Sequence, residues 1–387
     1  MTHNLNSTTL MDAMQVIEEH GLEGMNDAFS ILFNHAMTIE RSKALQAQPY
    51  ERTDERKGYA NGFKPRTLNT RMGKLKLQIP QVRGEVNFYP QSLERGCRSE
   101  RALKLAIAQM YVQGVSTRRV TPIMEELCGL EVTSSQVSRA AAELDAELQK
   151  WRQRPLGVTP YLMLDARYEK VRCDGAVRSC AVLVATAVTA DGKRSILGTS
   201  VSLSEAEIHW REFLHSLIDR GLCRVSLVTS DAHEGLKAAL QSSFPGAAWQ
   251  RCQTHIQRNA AGYVPRKEMQ KEVAADIRDT FAAPSLEEAE RLLAKAVEKY
   301  QPIASKLAAW LADTLPDGFA VFSLPSPHRK RLRTTNTLEN LNKQIKRRTR
   351  VATLFPNEAS LLRLVSAVLM ETSEEWESGK VYLNMTL

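Results

Sequence analysis

The chain has 387 residues, 43% hydrophobic and 25% charged, which fits a globular protein too long for one hydrophobic core. No apolar run approaches the roughly 20 residues of a membrane helix, and Met1-Thr2-His3-Asn4-Leu5-Asn6 lacks the charged and apolar regions of a signal peptide. Net charge is +8, and six scattered cysteines without a C-x-x-C pair predict reduced thiols in a cytoplasmic protein rather than a disulfide framework.

Taken in order, residues 10–46 carry helical periodicity (Met14, Ile17, Leu22, Met25, Phe29, Leu32, Ala36) with a break near Gly21, predicting an N-terminal helical domain over 1–48. The segment 49–98 is basic: from Arg56 to Arg83 there are eight Lys/Arg and no acid. Within it Lys74-Leu75-Lys76-Leu77-Gln78-Ile79 alternates strictly before Pro80, a half-exposed strand with Lys74 and Lys76 on a cationic outer face. Tyr59 and Phe63 alternate with Lys57, Lys64 and Arg66, which suits either a surface that tracks a nucleic-acid backbone or a small hairpin core. Over 99–155 the pattern is helical again. Ser116–Met124, a turn at Gly129 and a second helix opened by Thr133 and Ser134 follow the helix-turn-helix plan, with Ser135, Gln136 and Arg139 offered to a DNA groove.

From Pro160 the pattern becomes mixed. Tyr161-Leu162-Met163-Leu164 reads as a buried strand running into Asp165, with alternation resuming to Arg172 and a turn at Cys173-Asp174-Gly175. Strands follow at Val177–Thr189 and Arg194–Leu203, then a helix near 205–219 and a fourth strand Val225–Ser230 ending in Asp231. A helix near 233–242 and a strand Ala248–Cys252 complete an α/β core with the element order of a ribonuclease-H-like mixed sheet, whose first part is assigned to 156–256. Residues 257–327 read as an all-helical insertion, and 328–387 as the helices that finish the core. From His328 to Arg350 lie nine Lys/Arg and one acid, Glu339, a second basic block that points to a polyanionic partner.

Three acids carry the chemistry. Asp165 alone fits equally an acid whose side chain reaches water, but Asp231 repeats its setting on a strand expected to be its neighbour. Two convergent carboxylates repel unless a cation sits between them, and oxygen ligands suit Mg²⁺ or Mn²⁺. Glu339 stands three residues after Asn336 and four before Lys343, the spacing of a capping box and of a favourable ion pair. It also heads a stripe formed with Lys343, Lys346 and Arg350, opposite Leu338, Leu341 and Ile345, as a metal site gripping a phosphodiester backbone would require.

The block Val228-Thr229-Ser230-Asp231-Ala232-His233-Glu234-Gly235, the run Trp249 to His255, the motif Thr335-Asn336-Thr337-Leu338-Glu339-Asn340-Leu341-Asn342 and the tail Phe355–Leu364 together resemble the bacterial Mutator-type insertion-sequence transposases, over roughly 10–383. The resemblance implies a DDE transposase with Asp165, Asp231 and Glu339 as catalytic and metal-holding triad and a mainly helical N-terminal region that binds terminal inverted repeats. It places the family's Cys-x-x-His pair on Cys252 and His255, too few ligands for structural zinc and expected near the active site. It implies DNA contact at Lys346, at least a dimer to bring two DNA ends together, and neither a nucleotide cofactor nor a covalent protein–DNA link. A nuclease of the same fold, or a regulator using the core as scaffold, are the rival readings.

Overall fold

The computed structural model describes residues 7–84, 86–93, 99–113, 115–350 and 354–386, so parts of the expected segments 1–48 and 49–98, Cys97 included, lie outside the described residues. The chain divides into two compact units, Met1–Glu143 and Leu144–Leu387.

In the first unit, helices α1 (Ser7–His20) and α2 (Met25–Leu45) are separated where Gly21 takes φ +59°. A long hairpin follows, β1 (Tyr59–Thr70) paired antiparallel with β2 (Gly73–Arg83). Leu75, Leu77 and Ile79 bury one face of β2 against Met37 while Lys74, Lys76 and Gln78 stay exposed, so the alternation of the sequence is the alternation of the pleat. The side chains of α2 also hold the strand: Ser30 Oγ accepts from Lys76 N at 3.1 Å and Asn34 Oδ1 from Gln78 N at 2.7 Å. Helices α3 (Arg101–Val112), α4 (Thr117–Cys128) and α5 (Ser134–Ala142) share a core of Leu103, Ile107, Val120, Met124, Leu130 and Val137. Between α4 and α5, Gly129 closes the first helix at φ +60°, and Thr133 opens the second with a reciprocal capping box to Gln136.

The second unit begins with α6 (Asp145–Arg152) and a five-stranded sheet of β3 (Tyr161–Cys173), β4 (Ala176–Val188), β5 (Arg194–Ser202), β6 (Leu227–Ser230) and β7 (Ala248–Arg251). Spatial order is β5-β4-β3-β6-β7; the first three strands are antiparallel, and β6 and β7 run parallel to β3. Helices α7 (Glu207–Asp219) and α8 (Glu234–Ser243) cover one face through Trp210, Phe213, Leu214, Leu217 and Leu236. The continuous burial of β4 from Cys180 to Val188 follows from a sheet covered on both faces.

After β7 come α9 (Gln253–Ala260), α10 (Gln270–Phe281), α11 (Leu286–Tyr300) and α12 (Ser305–Thr314), packed around Ile277, Phe281, Leu293, Tyr300, Leu307 and Phe319, and then α13 (Ser326–Leu332). The chain then returns to the sheet as α14 (Asn336–Thr349) and α15 (Glu358–Ser378), the latter packing on β5 and β3. One expectation changes. Asp165 is not at a strand end, because β3 continues eight residues beyond it, paired with β4 to Cys173. In the second basic block Arg329 donates to the carbonyls of Leu324 and Pro284, Arg333 to that of Phe281, and Arg331 lies over the Tyr382 ring, while Lys330, Lys343, Lys346, Arg347 and Arg350 are exposed. No described helix is long and apolar enough to cross a membrane.

Candidate active site

Strand register brings the first two acids together. Met163 pairs with Thr229 across the parallel β3–β6 ladder, and Asp165 and Asp231 each stand two residues further along. Alternation returns both side chains to the face of that last rung. Burial, then the Asp231 charge, push the Asp165 carboxyl up from 3.8 to about 7, against the opposing pull of His255.

Asp165 is also held from α14. Its Oδ2 accepts from Asn342 Nδ2 at 2.7 Å and its Oδ1 from Ala166 N at 3.0 Å. Arg167 donates to the Asn342 carbonyl at 2.5 Å, and Thr349 Oγ1 donates to Glu169 at 2.9 Å, so α14 is fastened to β3 at its middle and at its C-terminal end. Leu338, Leu341 and Ile345 bury the inner face of α14.

Glu339 lies one helical turn before Asn342, the residue that bonds Asp165. Its carboxylate does not do what its spacing suggested. The N-cap of α14 is Thr335 rather than Asn336, without a side-chain cap bond, so the capping box is absent. Nor does Glu339 turn to Lys343. Arg258 grips it through two nitrogens at 2.8 and 3.2 Å, and His255 Nε2 stands 3.6 Å from Oε1. His255 and Arg258 are three residues apart on α9 and therefore share a face. The partners that spacing proposed were local, whereas those that the fold supplies lie 81 residues away.

Cys252 organises this junction. Its buried Sγ accepts from both the N–H and the hydroxyl of Thr335 at 3.3 Å, while its own N–H donates to the Ser230 carbonyl at 2.7 Å. Burial opposes ionisation of this thiol, but interactions with His255 and Thr335 prevail and bring it down to about 7. The facing thiol in turn raises the His255 imidazole, with burial working against it. Cys252 thus ties the strand leading to Asp231 to the start of the helix carrying Glu339.

The sequence reading missed three residues. Asn342 and Arg258 are the immediate partners of two acids. Glu205, in the loop after β5, acts on Asp165 and Asp231 by charge; burial raises its own carboxyl, with His233 opposing. The spacings His255-x-x-Arg258 and Glu339-x-x-Asn342 were the available signals.

Lys343, Lys346 and Arg350 are exposed along α14, as the stripe required. Lys74, Lys76, Ser135, Gln136 and Arg139 are exposed in the first unit, although Gln136 Oε1 is engaged at 2.7 Å by the Thr133 N–H of its capping box.

The chain matches the family described as "Transposase, Mutator family" over residues 1–379. It is 53% identical to the transposase for insertion sequence element IS406 of Burkholderia multivorans, with 99% of each chain covered. It is 43% identical to that for ISRM5 of Rhizobium meliloti, covering 94% of this chain and 91% of the relative. With the transposase for IS256 in transposon Tn4001 of Staphylococcus aureus it shares 36% identity over 97% of this chain and 98% of that one.

Proposed function

The chain belongs to the Mutator family of transposases, and from that premise we propose that it is a DDE transposase which binds the terminal inverted repeats of an insertion sequence and catalyses metal-dependent DNA strand cleavage and strand transfer. The observation that carries this reading is the pair Asp165 and Asp231, each two residues past the last rung of neighbouring parallel strands, with Glu339 one turn before the Asn342 that bonds Asp165 and 3.6 Å from the His255 whose charge acts on Asp165. The strand order, with the fourth core strand beside the first, supports a ribonuclease-H-like core.

The acid pair fits a divalent cation, because the charge of Asp231 opposes ionisation of a carboxylate that burial already disfavours. Mg²⁺ or Mn²⁺ held by Asp165, Asp231 and Glu339, two ions in the proposed mechanism, would favour ionisation of the attacking water and neutralise charge on the leaving 3′ oxygen. The chain's own residues orient and select. Asn342 and the Ala166 N–H orient the Asp165 carboxylate, each bonding one of its oxygens. Glu339 exchanges Arg258 for the site, which frees a guanidinium, 59% exposed, for a DNA phosphate. Lys343, Lys346 and Arg350 lie along the backbone of an end held there. Hydrolysis of one phosphodiester yields a 3′-hydroxyl and a 5′-phosphate; attack of that hydroxyl on a second phosphodiester forms one P–O bond as another breaks, so no nucleotide cofactor is consumed. Two ends have to meet, so the active form is at least a dimer, acting in the cytoplasm on nucleoid DNA.

The test uses purified full-length protein, DNA carrying one element end, and Mg²⁺. Asp165→Asn, Asp231→Asn and Glu339→Gln should each lower strand cleavage by at least about two orders of magnitude, since each removes several kcal/mol of transition-state stabilisation. Wild-type cleavage in any one of them removes that residue from the site. Cleavage without joining by the wild type would leave a nuclease.

A further inference from the structure

Away from the acids, the tip of the β3–β4 hairpin holds a second group of metal-ligating side chains. Sγ of Cys173, Sγ of Cys180 and a carboxylate oxygen of Glu358 all lie within 4.8 Å of one another, the one such His/Cys/Asp/Glu trio among the described residues. They come from three elements: the end of β3, the buried run of β4, and the first turn of α15. Cys173 pairs with Ala176 and Cys180 with Glu169, so both cysteines sit on one face of the hairpin, four rungs apart.

We propose that Cys173, Cys180 and Glu358 bind a zinc-class divalent ion, separate from the acids of the active site, with a fourth coordination position open to water. Two thiolates select a soft or borderline ion over Mg²⁺, and three protein ligands leave one vertex of a tetrahedron. Spacing agrees with that geometry. Sulfur at about 2.3 Å and oxygen at about 2.0–2.2 Å from a tetrahedral ion are separated by roughly 3.5 Å. Cys173 Sγ and Glu358 Oε1 are 3.6 Å apart. Binding converts two thiols to thiolates and releases two protons to solvent; no electron is transferred.

The consequence is a staple. The segment leading into α15 is already bridged to β3 by backbone bonds, Arg172 N to Phe355 O at 2.9 Å and Phe355 N to Lys170 O at 3.0 Å. An ion at the trio would add the first turn of α15 to that bridge through Glu358.

The test titrates Co²⁺ into full-length protein that has been stripped with chelator under reducing conditions, and follows the thiolate-to-cobalt charge-transfer absorption. Wild type and Cys223→Ser, which removes an exposed cysteine outside the trio, should bind one equivalent with that band; Cys173→Ser and Cys180→Ser should lose it, and Glu358→Gln should bind at least about tenfold more weakly. Glu358 is exposed, so its variant reports on the site even where a cysteine variant is misfolded, which circular dichroism would reveal. No band in the wild type, a band lost in Cys223→Ser, or wild-type affinity in Glu358→Gln overturns the proposal.

Discussion

Replacing Asp165 by Asn should stabilise the metal-free protein, although it should abolish the proposed activity. The folded carboxyl keeps its proton to about pH 7, whereas the unfolded one releases it near 3.8. Between those values the native state binds more protons, so stability falls as pH rises through the window and levels off above it. Three pKa units at 1.36 kcal/mol each set a ceiling of about 4 kcal/mol. Residual solvent contact of the partly buried carboxyl reduces this to about 2–4 kcal/mol. Asparagine carries no charge at any pH and can still accept a hydrogen bond from Ala166 or Asn342. Urea unfolding of wild type and variant at pH 4, 6 and 8, in chelator, measures the difference. The variant should lead by about 2–4 kcal/mol at pH 8 and by almost nothing at pH 4, and Mg²⁺ at pH 8 should stabilise the wild type more. A gap that does not depend on pH, or a variant less stable at pH 8, refutes the reasoning.

Arg258→Ala should lower the Mg²⁺ concentration for half-maximal cleavage by about 1.5–5-fold, since an exposed pair is worth about 0.2–1 kcal/mol; a raised requirement in a cleavage titration would show that Arg258 assists metal binding instead of competing with it. Cys252→Ala leaves the buried Thr335 donors without their acceptor and should cost about 1–3 kcal/mol in urea unfolding, whereas an unchanged midpoint would remove the bracing role. Lys346→Ala should weaken binding to end DNA and reduce the slope of log K against log salt by about one, a change that filter binding at several salt concentrations detects; an identical slope excludes a phosphate contact.

The parts of this molecule that could be read from sequence were those fixed by neighbours in the chain. Leu75, Leu77 and Ile79 show their alternation because one face of β2 is buried, and the helical insertion shows its periodicity for the same reason. The strand β1 was not legible: most of its residues are exposed, Gly62 and Pro65 interrupt it, and pairing with β2 is what makes it a strand. The continuation of β3 past Asp165 was read as resumed alternation without its consequence, that the acid lies inside a paired ladder. At Glu339 local spacing misled, because Asn336 and Lys343 fit the capping and pairing rules while stronger partners arrive from α9. Cysteines 173 and 180 looked unrelated for the same reason, since only hairpin register and the docking of Glu358 bring them together.

Long-range partners also join the chain where it leaves the sheet and where it returns. The chain leaves the sheet at Cys252 and Gln253 and returns at Arg333 and Thr335, and these residues bond to each other: Gln253 N donates to Arg333 O at 3.1 Å, and Thr335 donates twice to Cys252. Departure and return are thus joined beside the Ser230 carbonyl that precedes Asp231, and further long-range bonds tie the intervening segment to the sheet edge: Val321 N donates to Gln250 Oε1, Gln253 Nε2 donates to the Gly318 carbonyl, and Arg251 pairs with Asp317.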